Sequence, residues 1–179
     1  MPDASPLIQK HGDAVWRTSV RLLGDVDEAW DCYQETFLAA LRHPDPGSVA
    51  EWSAWLRRVA TNRAMDRLRQ TYRRREMAGQ LDELPNRATP VNPSARLESE
   101  ELRDALREAL TELPERQAEA FWLRHAEQLT PTQVAEHLGT TPANARQLVH
   151  RAATALRDRL ADPNLAASPR HAGQPGGPR

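Results

Sequence analysis

Cysteine is nearly absent from this sequence. The single Cys32 excludes an internal disulfide and any cysteine-built zinc site within one chain. Its neighbours Tyr33 and Phe37 on an expected helix mark it as a small buried core residue rather than a redox sensor. Lysine is as scarce: Lys10 is the only one among 24 basic residues, so any phosphate or guanine recognition falls to arginine. A GC-rich genome accounts for most of that bias. No apolar run is long enough to span a bilayer and no signal peptide is evident, which points to a cytoplasmic protein with no membrane partner. β-Branched residues are scattered and never alternate, so no strand is expected and the chain reads as all-α. The six histidines have no short metal-ligand spacing, no glycine-rich phosphate loop occurs, and no Ser/His/Asp set stands out. Hence no metal, no cofactor and no enzymatic site is expected.

What is present is unevenly placed. With 39% hydrophobic residues, the 179-residue chain is poor for one large core but adequate for two compact helical bundles. Net charge is −1, yet Trp55–Arg75 is strongly positive and Leu81–Glu119 is acid-rich. Such asymmetry fits separate tasks, or an acidic segment that shields a basic one in the free protein.

The chain is organised around the stretch WLRRVATNRAMDRLRQTYRRR, Trp55 to Arg75. Trp52, Trp55, Leu56 and Val59 share one helical face and predict burial at its start. The stripe that carried Leu56 then continues as Arg63, Arg67 and Arg74, and a neighbouring one reads Asn62, Asp66, Arg69, Arg73. Arg-rich helices are more often solvated faces than ligand sites. Here glutamate and lysine are nearly missing from the segment, so i,i+4 pairs of opposite sign are few and like charges crowd. The expectation is a helix packed at one end and offered to a polyanion at the other.

Before that stretch, Ser5 and Pro6 start a helix with Ile8, Val15, Trp16, Ser19, Leu22 and Leu23 inward, and Gly24 ends it. Asp25 caps the next, with Glu28 as its capping-box partner. Val26, Trp30, Tyr33, Phe37 and Leu41 mark the buried side of that helix; Asp27, Asp31, Gln34 and Glu35 mark the opposite one. Pro44–Gly47 is a loop, and Ser48 with Glu51 caps the long helix. Periodicity then fails over about 77–95, which reads as a flexible linker. Beyond it, Leu97, Leu102, Ala105, Leu106, Ala109 and Leu110 form another apolar face, and a following helix carries Ala118, Phe121, Trp122 and His125. His125 and His137 read as helix surface or edge residues.

The segment Leu129–Leu160 is more specific. Thr130, Pro131 and Gln133 supply a cap, a first-turn proline and a capping-box partner; Gly139 turns the chain; Thr141 and Pro142 start a second helix. Two capped helices about a glycine turn predict a helix-turn-helix, although many helical hairpins imitate it. The second helix buries Ala145, Leu148, Val149, Ala152 and Leu156 and leaves Asn144, Arg146, Gln147, His150 and Arg151 free. Asn and Gln suit adenine and Arg suits guanine in the major groove. The tail 161–179 is rich in Pro, Gly and Ala and is expected to be disordered.

Three blocks in order resemble the bacterial RNA polymerase sigma factors of the extracytoplasmic-function (ECF) type, which belong to the sigma-70 family and keep only regions two and four. RLLGDVDEAWDCYQETFLAAL resembles the core-binding helix and WLRRVATNRAMDRLR the helix that melts and reads the minus-ten element. LPERQAEAFWLRHAEQLTPTQVAEHLG with HRAATALRDRL resembles the minus-thirty-five reader. The resemblance implies two small helical domains, region two at 5–76 and region four at 96–160, joined by a linker at 77–95. It implies that Asp31, Gln34 and Glu35 face the polymerase clamp coiled coil, in keeping with an acidic stripe that lacks an obvious internal partner. It further implies that Asn62 holds a flipped base beside the Pro44–Ser48 loop, with Arg63, Asp66, Arg67, Arg69, Arg73 and Arg74 around it. Arg146, Gln147 and Arg151 would contact the minus-thirty-five element. The partners implied are core RNA polymerase (clamp coiled coil and flap), promoter DNA and an anti-sigma factor. There are departures: Trp30 stands where a polar residue is usual, ANARQL replaces a common GTVKSR, and a helix that precedes Leu7 in most relatives is reduced to Met1–Ser5 or missing. The competing expectation is a stand-alone dimeric helix-turn-helix regulator that binds a palindrome without polymerase.

Overall fold

A computed structural model describes residues 5–78 and 94–161. Among them the protein is helical, with seven α-helices and no strand. The first four are α1 (Ser5–Leu23), α2 (Val26–Leu41), α3 (Trp52–Ala78) and α4 (Ser94–Thr111). They are followed by α5 (Glu115–His125), α6 (Pro131–Leu138) and α7 (Pro142–Ala161), and a short 3-10 turn at Pro46–Ser48 precedes α3. Helix α3 runs through residue 78 and α4 begins at 94, so the expected linker narrows to positions outside the described residues. The tail from 162 and the first four residues lie outside them too.

Local chemistry sets the helix ends. Gly24 leaves α1 at φ +72, a left-handed conformation that glycine adopts at little cost. Asp25 then caps α2, its carboxylate accepting from the amides of Asp27 and Glu28 at 2.9 Å. The expected capping-box role of Glu28 is not what its side chain does: its carboxylate turns to α3 and binds Arg67. Nor does Ser48 cap α3. Ser48 donates to the Asp45 carbonyl, and it is Glu51 that accepts from the Ser53 amide. At α6 the expectation holds, with Thr130 and Gln133 forming a reciprocal capping box and Gly139 closing the helix at φ +60.

Helices α1, α2 and α3 pack as one bundle, and α4 to α7 as a second. In the first, Val15, Phe37, Ala40, Leu56 and Ala60 are buried together. The inward line of α2 is Ala29, Cys32, Thr36, Phe37 and Ala40, one position round from the expected one. Trp30 is 51% exposed, stacked on Tyr33 at 5.3 Å between ring centres, so the largest aromatic of α2 packs along the surface rather than in the core. Ile8 and Leu102 are also exposed, against expectation. In the second bundle Leu123, Leu129, Val134, Ala135, Leu138 and Ala145 form the helix-turn-helix core.

A third cluster joins the two bundles. Leu22, Leu23, Met65 and Leu68 from the first meet Leu110, Leu113, Trp122 and Leu156 from the second. Each fully buried Leu contributes about 1.5–3 kcal/mol of transfer free energy, so this seam matters to the fold of the whole chain. It also corrects the expected end of packing on α3. Burial continues past Val59 through Ala60, Ala64, Met65 and Leu68, and the small alanines hide the stripe from a periodicity search.

Candidate nucleic-acid interface

The arginines of α3 meet partners that lie about thirty residues away in sequence. Arg63 Nη1 donates to Glu35 at 3.0 Å. Arg67 forks, donating to Glu28 at 2.8 Å and to Glu35 at 2.7 Å, with Asp31 at 3.6 Å. Arg74 lies 3.5 Å from the other Glu28 oxygen. The acidic stripe of α2 therefore does have an internal partner, contrary to expectation: helix α3 lies beside α2 and its guanidinium groups reach across. Burial alone would weaken the Arg67 charge, but the bonds from Glu28 and Glu35 outweigh it and hold the pKa above its usual value. Of the three α2 residues expected to face the polymerase, Asp31 and Gln34 are exposed and Glu35 is half-buried against Arg63 and Arg67.

Asn62, Asp66, Arg73 and Arg74 remain exposed along α3. Arg69 leans towards Asp66 at 3.8 Å with its own side chain 15% exposed, and Arg73 donates back to the Arg69 carbonyl. Asn62 faces the second bundle. With its amide nitrogen turned towards the acceptors around it, it donates to Glu119 Oε1 at 2.6 Å and to the Arg58 carbonyl at 3.3 Å. Near the start of the helix, His43, Trp52 and Trp55 group edge to face beside the Pro44–Ser48 loop, with centroid distances of 5.4 to 6.2 Å.

Glu119 on α5 is the acidic centre of this region. Burial raises its pKa, helped by Glu115 and opposed by Arg58, Arg116 and Arg69. His137 lies 3.9 Å away and is itself buried, which corrects its assignment as a surface residue; His125 is exposed as expected. Desolvation, with Arg58 and Arg57 adding to it, lowers His137 to about 4. Both members of the pair are thus pushed towards their neutral forms, and 3.9 Å is too long for a hydrogen bond, so they touch without forming a strong ion pair. The folded pKa of His137 lies below the unfolded 6.5, so its stabilising effect is complete above pH 6.5 and is lost as pH falls towards 4. We expect denaturant stability to fall by up to about 1.4 kcal/mol per pH unit from this group in that window. A His137→Gln chain should lack that slope; equal slopes for the two proteins would contradict the burial.

At the other end, α7 shows the arrangement the sequence predicted. Ala145, Ala152 and Leu156 are buried, while Asn144, Arg146, Gln147, His150 and Arg151 are exposed. The Thr141 hydroxyl accepts from the Asn144 amide, and the Asn144 side chain donates to Thr140 at 2.8 Å, which fixes the first turn. A recess of about 240 Å³ beside it has an apolar floor of Val134, Ala145 and Val149 and a rim that includes Arg124, Arg146 and His150. Among the described residues no group of three or more His, Cys, Asp or Glu could hold a metal ion, and no helix is long and apolar enough to cross a membrane.

A fold that is strand-free among the described residues, with a capped helix-turn-helix in one bundle and an arginine-rich helix in another, has the build of a DNA-binding transcription protein. The comparisons with known proteins make this specific. Residues 7–74 match the profile of Sigma-70 region 2, and residues 103–156 match that of Sigma-70, region 4. The chain is 32% identical over 155 residues to the ECF RNA polymerase sigma factor SigL of Mycobacterium tuberculosis, which covers 84% of this chain and 85% of that one. It is 32% identical to the ECF RNA polymerase sigma factor SigE of Mycolicibacterium smegmatis over 90% of this chain, spanning 63% of that protein's length. In fold it resembles the sigma factor RpoE of Bartonella quintana, solved with the anti-sigma factor NepR, at a TM-score of 0.55 and 22% identity over 91% of this chain and 99% of that one. The protein belongs to the ECF RNA polymerase sigma factors.

Proposed function

We propose that the protein is the subunit that core RNA polymerase uses to find and open its promoters, and that it works in the cytoplasm without catalytic residues of its own. The observation that carries this reading is the presence, on one chain, of matches to both sigma regions, each with a helix that presents basic and amide side chains to solvent. Helix α7 would read the upstream element through Arg146, Gln147 and Arg151, with Asn144 and His150 flanking them. Arginine forks match guanine O6 and N7, glutamine matches adenine, and the apolar recess floor suits a thymine methyl. Helix α3 would handle the downstream element: Asn62 takes the flipped base, and Arg69, Arg73 and Arg74 hold backbone. Flipping costs a few kcal/mol of lost stacking, which phosphate contacts offset.

Arg63 and Arg67 are better read as the struts that hold α3 against α2 than as phosphate contacts, because their guanidinium groups are already bonded to carboxylates. The exposed parts of Asp31 and Gln34 remain the surface for the clamp coiled coil, with region four on the flap. An anti-sigma factor is the remaining partner we assign. Two readers that must be held at a fixed spacing gain most of their affinity from the polymerase that spaces them. The test is light scattering of the purified chain followed by a pull-down on core polymerase. We expect a monomer that binds core; a stable dimer that binds a palindrome and ignores core would overturn the reading.

A further inference from the structure

The outer side of α2 carries more apolar surface than a solvated helix needs. Asp27, Trp30, Asp31, Gln34 and Leu38 all lie open to solvent on it. Trp30 is 51% exposed and Leu38 is 43% exposed. A spacing of four residues puts Trp30, Gln34 and Leu38 on one line, and Asp31 adjoins Gln34 from three residues before it. The line covers about 12 Å of helix at about 1.5 Å per residue. Single exposed apolar residues are common and need no explanation. Two of them on one line, with a polar residue between, form a patch with a direction. The Trp30 ring is also held in place before any partner arrives. It stacks on Tyr33 with ring centres 5.3 Å apart and planes 6° from parallel, and Trp16 meets it edge to face at 5.9 Å. Tyr33 in turn packs at 5.0 Å on Phe37, which is buried. An indole fixed in this way loses little side-chain freedom on binding, and rigid aromatic rings are frequent centres of protein interfaces.

Charge on the same helix is largely spent inside the chain. Arg67 binds Glu28 and Glu35, Arg63 binds Glu35 as well, and Arg74 lies 3.5 Å from Glu28. Asp31 itself lies 3.6 Å from Arg67. The carboxylates that would draw a basic partner to α2 are thus partly neutralised by α3, which weakens their field outside the protein. The apolar area of Trp30 and Leu38 has no such internal claim on it.

We propose that Trp30 and Leu38 are the anchors by which this protein grips the coiled coil of the polymerase clamp, and that apolar burial rather than charge carries most of the affinity. Continuity decides the occupant: the two side chains flank Gln34 and adjoin Asp31, the residues assigned to the clamp. The matching surface is a helical one with an apolar recess that takes an indole and polar groups that meet Gln34 and Asp31. The proposal rests on the assignment of α2 as the polymerase-binding helix, and it adds which side chains hold the partner and by what force.

The test is binding of the full chain to core polymerase, measured as equilibrium and rate constants at low and high salt. Trp30→Ala should weaken binding about thirtyfold or more, chiefly through faster dissociation and by a similar factor at both salts. Trp30→Phe should recover most of the loss, because it keeps a ring on Tyr33. Asp31→Asn should weaken binding by less than about fivefold, and only at low salt. The parent's own affinity should fall by less than about tenfold between about 0.1 M and about 0.5 M salt. A photoreactive benzoylphenylalanine in place of Leu38 leaves Trp30 intact and should cross-link to the clamp, so misfolding of Trp30→Ala leaves that readout. Trp30→Ala that binds as tightly as the parent, or a bound complex with no cross-link from position 38 to the clamp, would overturn the anchors. So would a loss confined to Asp31→Asn and abolished by salt, which would still leave α2 as the polymerase-binding helix. A folded parent that does not bind core polymerase would overturn the assignment of function and the anchors with it.

Discussion

Alanine at both Arg146 and Gln147 is expected to remove most of the base preference in the upstream promoter element while leaving the fold intact. Both side chains are exposed on α7, whose inward face is held by Ala145, Ala152 and Leu156, so the cost to stability should stay within about 0.5 kcal/mol. Each lost base contact should reduce discrimination by about 1–3 kcal/mol, because the wrong base no longer leaves a donor or acceptor unpaired. Competition between a promoter and its single-base variants, in the presence of core polymerase, reads this directly. Preference at one or two upstream positions should collapse towards equality while downstream preference is kept. If every base preference survived, α7 would not be the reader. If affinity fell equally for all sequences, these residues would be holding phosphate.

Arg67 should produce the largest loss of stability among the charged residues. Its fork joins Glu28 and Glu35 at 2.8 and 2.7 Å with the side chain 21% exposed. Exposed ion pairs contribute about 0–1 kcal/mol, whereas breaking a buried one costs about 3–5. This half-buried fork lies between, so Arg67→Ala should cost about 2–3 kcal/mol, part of it from three carboxylates left facing one another. Arg67→Lys should recover only a fraction, because a single ammonium cannot span two separate carboxylates as the two Nη groups do. Denaturant midpoints for both variants, in a cycle with Glu28→Gln and Glu35→Gln, measure the coupling. Unchanged midpoints together with lost DNA binding would return Arg67 to the phosphate-contacting role that the sequence suggested.

The carboxylate partners of Arg67 show where sequence reading stopped. Helix ends were legible because a cap is a local event: Asp25, Thr130 with Gln133, Gly24 and Gly139 each act within a few residues. The reading face of α7 was legible too, since its apolar positions repeat at helical spacing and its polar ones do not. Helix α3 departs from expectation in its packing and in the partners of its arginines. Its buried stripe runs through Ala60, Thr61 and Ala64, which carry little hydrophobic signal, before it reaches Met65 and Leu68, and Arg63 and Arg67 are neutralised by α2 rather than by neighbours on the same helix. A search for i,i+4 partners cannot see an acid 28 to 39 residues away. Trp30 was placed inside by its helical spacing with Val26, Tyr33, Phe37 and Leu41, yet it stacks on Tyr33 at the surface. His137 carried no warning of burial, because its packing against α5 is tertiary. The contact between the bundles was out of reach for the same reason, although the acid-rich segment beside a basic one hinted at shielding.

Helix α3 therefore meets both bundles: Arg63 and Arg67 hold it to α2, Met65 and Leu68 pack against the second bundle, Asn62 faces that same bundle with its side chain exposed, and Arg73 and Arg74 lie exposed further along.

The most direct test of the account is multiple-round transcription in vitro, with core polymerase, the purified full chain and fragmented DNA from its own genome, read by mapping the starts. The account predicts discrete starts that require the protein and share two elements at one fixed spacing, with Asn62→Ala reducing opening at all of them. A folded protein that binds core polymerase yet yields no start beyond the core-only background would contradict it.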